Sequence, residues 1–114
     1  MTKSEAKRRR YAKLTGQLRR IGPVAQGTVT ERRIVRDVPS APGGTKTYGP
    51  YYQWTWKQEG KTVTVNLTQS QAKTWQQAID NHRKMERIMG EMRKLSLEIL
   101  EESTEGVKKR QRQK

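Results

Sequence analysis

The side chains of this sequence with obvious chemical capacity are mostly cations. Arg8, Arg9 and Arg10 form one block, Arg19 and Arg20 follow further along the same segment, Arg32, Arg33 and Arg36 recur over five positions, and Lys46, Lys57 and Lys61 bracket a Trp-rich stretch. Arginine and lysine hold phosphate oxygens, whereas short polar side chains on an extended segment reach base edges. Gln53, Thr55, Thr64 and Asn66 are of the second kind, and Tyr51 beside them can stack on a base or contact a phosphate. Catalytic material is sparse. A Ser-His-Asp arrangement needs a histidine oriented by a carboxylate, and the single histidine, His82, lies within a long helical pattern. His82 with Glu86 or Asp80 supplies two metal ligands, too few for a site, so a structural histidine is the expectation. PGGTKT lacks the G-x-x-x-x-G-K-[ST] spacing of a phosphate-cradling loop. Glu31, Asp37 and Glu59 share no face from which a two-metal nuclease could be built. The expectation is a protein that is not an enzyme, with no cofactor and no metal.

The whole-chain arithmetic agrees. The chain has 114 residues, with 25 Lys and Arg against 11 Asp and Glu, a formal net charge of +14, and is 31% hydrophobic. So short a chain supports one small core. An excess of positive charge on this scale repels itself unless a polyanion neutralises it, which makes nucleic acid the expected partner. There is no cysteine, which excludes disulfides and thiol chemistry and fits a reducing compartment. Apolar residues never run beyond two in succession, too few for a membrane span or a signal peptide. A cytoplasmic location with no membrane contact is therefore expected.

The elements that must position these groups follow from spacing. In residues 1–22, Tyr11, Leu14, Leu18 and Ile21 recur at three and four, giving a basic amphipathic helix stopped by Gly22 and Pro23. Its charge block argues for fraying up to about Arg9. Residues 23–68 predict a three-stranded antiparallel sheet. Its first strand is rich in Val, Ile and Thr over 27–38, with an undecided inward face, and a Pro/Gly-rich loop spans 39–50. The last two strands form a hairpin around Glu59 and Gly60. That register opposes Trp56 to Val63, Trp54 to Val65 and Tyr52 to Leu67 on an apolar face, and Lys57 to Thr62, Thr55 to Thr64 and Gln53 to Asn66 on a polar face. A shift by one residue would scramble both faces. The Trp face is expected to pack on a helix rather than to stack on bases.

Thr68 to Gln71 spells a capping box. Beyond it an apolar stripe through Ala72, Trp75, Ile79, Met85, Met92 and Ile99 predicts a helix over 69–103. Such a helix is roughly 50 Å long, more than a small domain covers. Either it breaks near Gly90 and folds back, or its far half pairs with a second copy. Residues 104–114 read as a basic disordered tail.

The stretch GPYYQWTWKQEGKTVTVNLTQSQAKTWQQAI resembles a family of short uncharacterised prokaryotic proteins with G-P-Y-x-x-W, G-K-x-V and L-T-x-x-Q-A motifs before a long helix, often found in genomes rich in mobile elements. The three strands and helix, with Y-x-W, G-K-x-V and Q-A-x-x-W, are also similar to the N-terminal arm-type DNA-binding domain of phage integrases. That second resemblance implies a sheet whose outer face, here Gln53, Thr55, Thr64 and Asn66, lies in the major groove, with Trp54, Val65 and Trp75 as core. It implies no recombination, because no catalytic domain follows the helix in this sequence.

These observations converge on an α+β fold. A basic N-terminal helix, a three-stranded antiparallel sheet and a long C-terminal helix bind duplex DNA through phosphates and the sheet's outer face, as an accessory factor of a mobile element would. A dimerising or partner-docking long helix is the alternative, and a structured-RNA binder the second. Up to Thr68 there are 14 basic and 4 acidic residues, and from Gln69 onward 11 and 7. The first part is therefore expected to bind, and the second to pack or associate.

Overall fold

A computed structural model describes residues 3–106 of the chain. The tail over 104–114 lies outside the described residues from Val107 onward. The fold is α+β, in the order α1 (Lys3–Arg19), β1 (Thr28–Asp37), a short 3-10 turn (Pro42–Gly44), β2 (Thr45–Gln58), β3 (Lys61–Leu67) and α2 (Gln69–Ser103). It divides into two compact units, Pro23–His82 and the remainder, and α2 contributes to both.

The sheet unit is antiparallel with β2 in the centre. The β2–β3 register is the one that side-chain sorting selects, from Gln58 opposite Lys61 to Tyr52 opposite Leu67. Glu59 and Gly60 both take positive φ, 51° and 79°, the conformation in which a two-residue turn matches the twist of its strands. On the other side Val29 faces Trp54, Thr30 faces Gln53 and Arg32 faces Tyr51. This settles the orientation of β1: Val29 joins the Trp face, while Thr28, Thr30 and Arg32 join the polar one.

The expected loop over 39–50 is shorter than its composition suggests. Thr45 to Pro50 belong to β2, and Thr45, Lys46, Thr47 and Tyr48 pair with Asp37, Arg36, Val35 and Ile34. The pairing steps two residues on β1 (Arg32 to Ile34) but three on β2 (Tyr51 to Tyr48), so the extra residue sits at Gly49–Pro50. A bulge absorbs the glycine and proline that made the segment look irregular. Beyond the last β2–β3 pair, β1 and β2 continue alone as a two-stranded ribbon.

The Trp face closes on the start of α2. Trp54 stacks on Trp56 with ring centroids 3.7 Å apart and on Trp75 of α2 at 4.0 Å. Its indole N–H donates to the Gln26 carbonyl at 2.7 Å. The connecting segment is tied to the same helix, because Asn81 Nδ2 donates to the Pro23 carbonyl at 3.0 Å and the Ala25 amide to the Ala78 carbonyl at 3.1 Å. Ala72 and Ile79 are the buried helix positions of this unit. The capping box forms reciprocally: the Thr68 amide donates to Gln71 Oε1 at 2.9 Å and the Gln71 amide to Thr68 Oγ1 at 3.1 Å.

In the helical unit α1 packs antiparallel on the later part of α2. Lys7 pairs with Glu98 and Glu102, and Arg10 with Glu91 at 2.9 Å. Leu14, Ile88 and Ile99 are buried. The expected break near Gly90 is thereby corrected, because α2 is continuous through Gly90. α1 covers part of the far half of α2, while Leu97 and Leu100 there stay exposed. α1 is helical from Lys3, ahead of the Arg9 boundary of the expected fraying, and Lys7 and Arg10 of its charge block pair with acidic residues of α2.

A candidate nucleic-acid interface on the outer sheet face

Strand alternation gathers part of the expected site. Arg32 on β1, Tyr51, Gln53, Thr55 and Lys57 on β2, and Thr64 and Asn66 on β3 share the face opposite the tryptophans. Their polar side chains are ordered across the strands. Gln53 Nε2 donates to Asn66 Oδ1 at 3.2 Å, and the Thr55 and Thr64 hydroxyls lie 3.3 Å apart. Each pair leaves donor and acceptor capacity unused.

The ribbon extends this face with cations. Arg36 stands directly opposite Lys46, and both lie over Tyr48, with the guanidinium carbon 6.0 Å and the ammonium nitrogen 5.3 Å from the ring centroid. Among the described residues neither cation is ion-paired with a carboxylate. Like charges directly opposed across strands repel, so this arrangement favours an anion close by. The ring quadrupole offsets part of the repulsion.

Other expected members lie elsewhere. Arg33 alternates to the opposite face, where its guanidinium meets Glu31 at 3.2 Å. Lys61, opposite Gln58, falls on the Trp side of the hairpin end. Arg8, Arg9, Arg10, Arg19 and Arg20 belong to the helical unit. There Arg10 is bound to Glu91, Arg8 borders a groove with Tyr11, Ser96 and Leu100, and Arg9, Arg19 and Arg20 are exposed. Sequence reasoning missed Ile34 and Tyr48, because it leaves the inward face of the first strand undecided and places Tyr48 in the 39–50 loop. The available signal was the Thr-Lys-Thr-Tyr alternation that precedes Gly49.

Where the chain turns from β3 into α2, the outer face has a pocket of about 320 Å³ bordered by Arg32, Ile34, Tyr51, Gln53 and Asn66 and closed by the Tyr52–Leu67 pair. The arrangement offers stacking surfaces, a guanidinium and amide groups, all suited to binding. No three His, Asp or Glu side chains gather into a metal site among the described residues. His82 Nε2 is 3.4 Å from the Gln26 side-chain amide, at the edge of the sheet unit's core. No helix among the described residues is long and apolar enough to cross a membrane. Comparison with family models, curated proteins and solved structures finds no match to this chain.

Proposed function

We propose that the protein is a non-catalytic nucleic-acid-binding protein that holds duplex DNA through phosphate contacts and the outer face of its sheet. The observation that carries this reading is the Arg36–Lys46 pair, two directly opposed cations over one aromatic ring on a ribbon that continues beyond β3. A two-stranded ribbon fits the major groove, which is about 12 Å wide. Arg32, Arg36, Lys46 and Lys57 then neutralise phosphates, while Gln53, Thr55, Thr64 and Asn66 meet base edges, held in place by their cross-strand hydrogen bonds.

The test is binding of duplex DNA, single-stranded DNA and structured RNA, side by side, across a salt series. Contact with about six phosphates gives a slope of log affinity against log salt near −5 on duplex DNA. Joint replacement of Arg32, Arg36 and Lys46 by Ala weakens binding to all sequences, whereas Thr64→Ala and Asn66→Ala change the preference between sequences. Affinity that barely changes between low and moderate salt overturns the reading. Tightest binding to structured RNA replaces DNA by RNA as the partner.

A second reading attaches to the helical unit. Leu97 and Leu100 are 54% and 60% exposed and border an apolar groove with Tyr11, Met89 and Met92. Self-association through this groove gives a homodimer, which light scattering over a concentration series detects as a doubled mass.

A further inference from the structure

We infer that the pocket at the end of β3 accepts a single unpaired nucleobase, so that the protein prefers a duplex carrying an extrahelical base to the same duplex fully paired. The inference rests on the duplex-binding reading and adds a substrate class to the same face. Its starting point is the unequal length of the strands. The last β2–β3 pair is Tyr52 with Leu67, after which the chain leaves through Thr68 into α2. Tyr51 therefore has Arg32 as its cross-strand neighbour on the β1 side and no strand on the other, and it stays 48% exposed. The missing strand leaves the pocket beside the ring.

Its walls match the groups that proteins use to hold an unstacked base. Tyr51 and Arg32 provide an aromatic face and a guanidinium plane on paired residues, and Ile34 adds apolar surface. At the β3 side the Gln53–Asn66 hydrogen bond occupies one amide donor and one amide acceptor. Oε1 of Gln53 and Nδ2 of Asn66 are not used in that bond, which leaves an acceptor and a donor for the edge of a base. Because any base presents both types of group, the pocket selects for the unpaired state more than for base identity. Arg36 and Lys46, further along the same two strands and on the same face, take the phosphates that flank an extruded nucleotide. Extrusion costs least for a base that has no partner, which is why the preference falls on a bulged duplex.

The test uses the full chain and two labelled duplexes of one sequence, identical except that one carries a single unpaired adenine. Fluorescence anisotropy at fixed salt is expected to give about tenfold tighter binding to the bulged duplex, the scale of one base stacked on an aromatic side chain. Tyr51→Leu abolishes the preference, Tyr51→Phe retains it, and Arg36→Ala with Lys46→Ala weakens both duplexes alike. Circular dichroism melts confirm that the variants fold. Equal, salt-dependent affinity for the two duplexes, or a preference that survives Tyr51→Leu, overturns the pocket and leaves the duplex reading standing. Salt-insensitive binding, or none, to either duplex overturns both.

Discussion

Arg36 and Lys46 oppose each other on β1 and β2 with Tyr48 beneath both cations, the ammonium 5.3 Å and the guanidinium 6.0 Å from its ring. Two like charges in that register destabilise the unliganded sheet, whereas an opposite-charge pair there would contribute about 0.2–1 kcal/mol. The feature makes sense where binding, not stability, sets the sequence. Lys46→Glu is therefore expected to raise the urea midpoint of the free protein slightly while lowering affinity for duplex DNA at least about tenfold. Denaturation and binding measured on the same preparation check it. A variant that loses stability and keeps affinity contradicts the assignment of this pair to phosphate contact.

Gly27 is the residue on which the closure of the sheet unit depends. Its φ is +102°, and a Cβ there would lie 2.4 Å from the Thr55 carbonyl oxygen and 2.8 Å from Trp54 Nε1. The first contact is backbone of the central strand, and the second is the indole nitrogen that donates to Gln26. Neither can withdraw without loosening the Trp54–Trp75 stack. Gly27→Ala is expected to cost about 2–3 kcal/mol, since left-handed strain and overpacking add. Urea unfolding followed by tryptophan fluorescence reads this directly. Gly60→Ala has open space around it and only the φ penalty of +79°, so it is expected to cost less.

The hairpin was legible because two independent signals agree there. Period-two sorting selects the register, and Glu59-Gly60 tolerates the positive φ that a two-residue turn demands. The capping box was legible for the same local reason. The ribbon was not, because Gly49 and Pro50 read as punctuation, whereas in the fold a bulge takes up both and pairing resumes at Tyr48. Nor could spacing say which face of β1 points where: Arg32 and Arg33 look equivalent in sequence but alternate to opposite faces, and Arg33 meets Glu31. The stripe of α1 and the uncovered half of α2 were both visible. Their mutual pairing was not, because amphipathic periodicity identifies a face and not its partner.

Gly90 separates two accounts of the long helix. In a helix interrupted there, glycine would supply the hinge and any side chain would stiffen or strain it. In the continuous α2, an added Cβ meets nothing closer than Arg93 Nη2 at 4.0 Å. Gly90→Ala is therefore expected to stabilise the protein by about 0.5–1 kcal/mol, the difference in helix propensity. Gly16 in α1, with open space around it, is expected to respond in the same direction. Thermal unfolding by circular dichroism measures both. A loss of stability in Gly90→Ala would restore the broken-helix account.

Lys7 gives the helical unit a pH signature. Its ammonium donates to Glu102 and lies 3.8 Å from Glu98 Oε2. The hydrogen bond to Glu102 is the main reason its pKa stands above the ordinary lysine value, and partial desolvation opposes the shift. The folded state thus holds this proton more tightly than the unfolded chain does. The resulting stabilisation is fully present below the unfolded lysine value, roughly 10.4, and is lost as pH rises through the folded one. The urea midpoint of wild type is expected to exceed that of Glu102→Gln by a constant margin from about pH 7 to 9, with the margin narrowing above roughly pH 10.4. The pair is solvent-exposed, so added salt narrows the same margin at neutral pH. A margin that instead widens above pH 10 would mean that the Lys7–Glu102 ion pair does not secure α1 to α2.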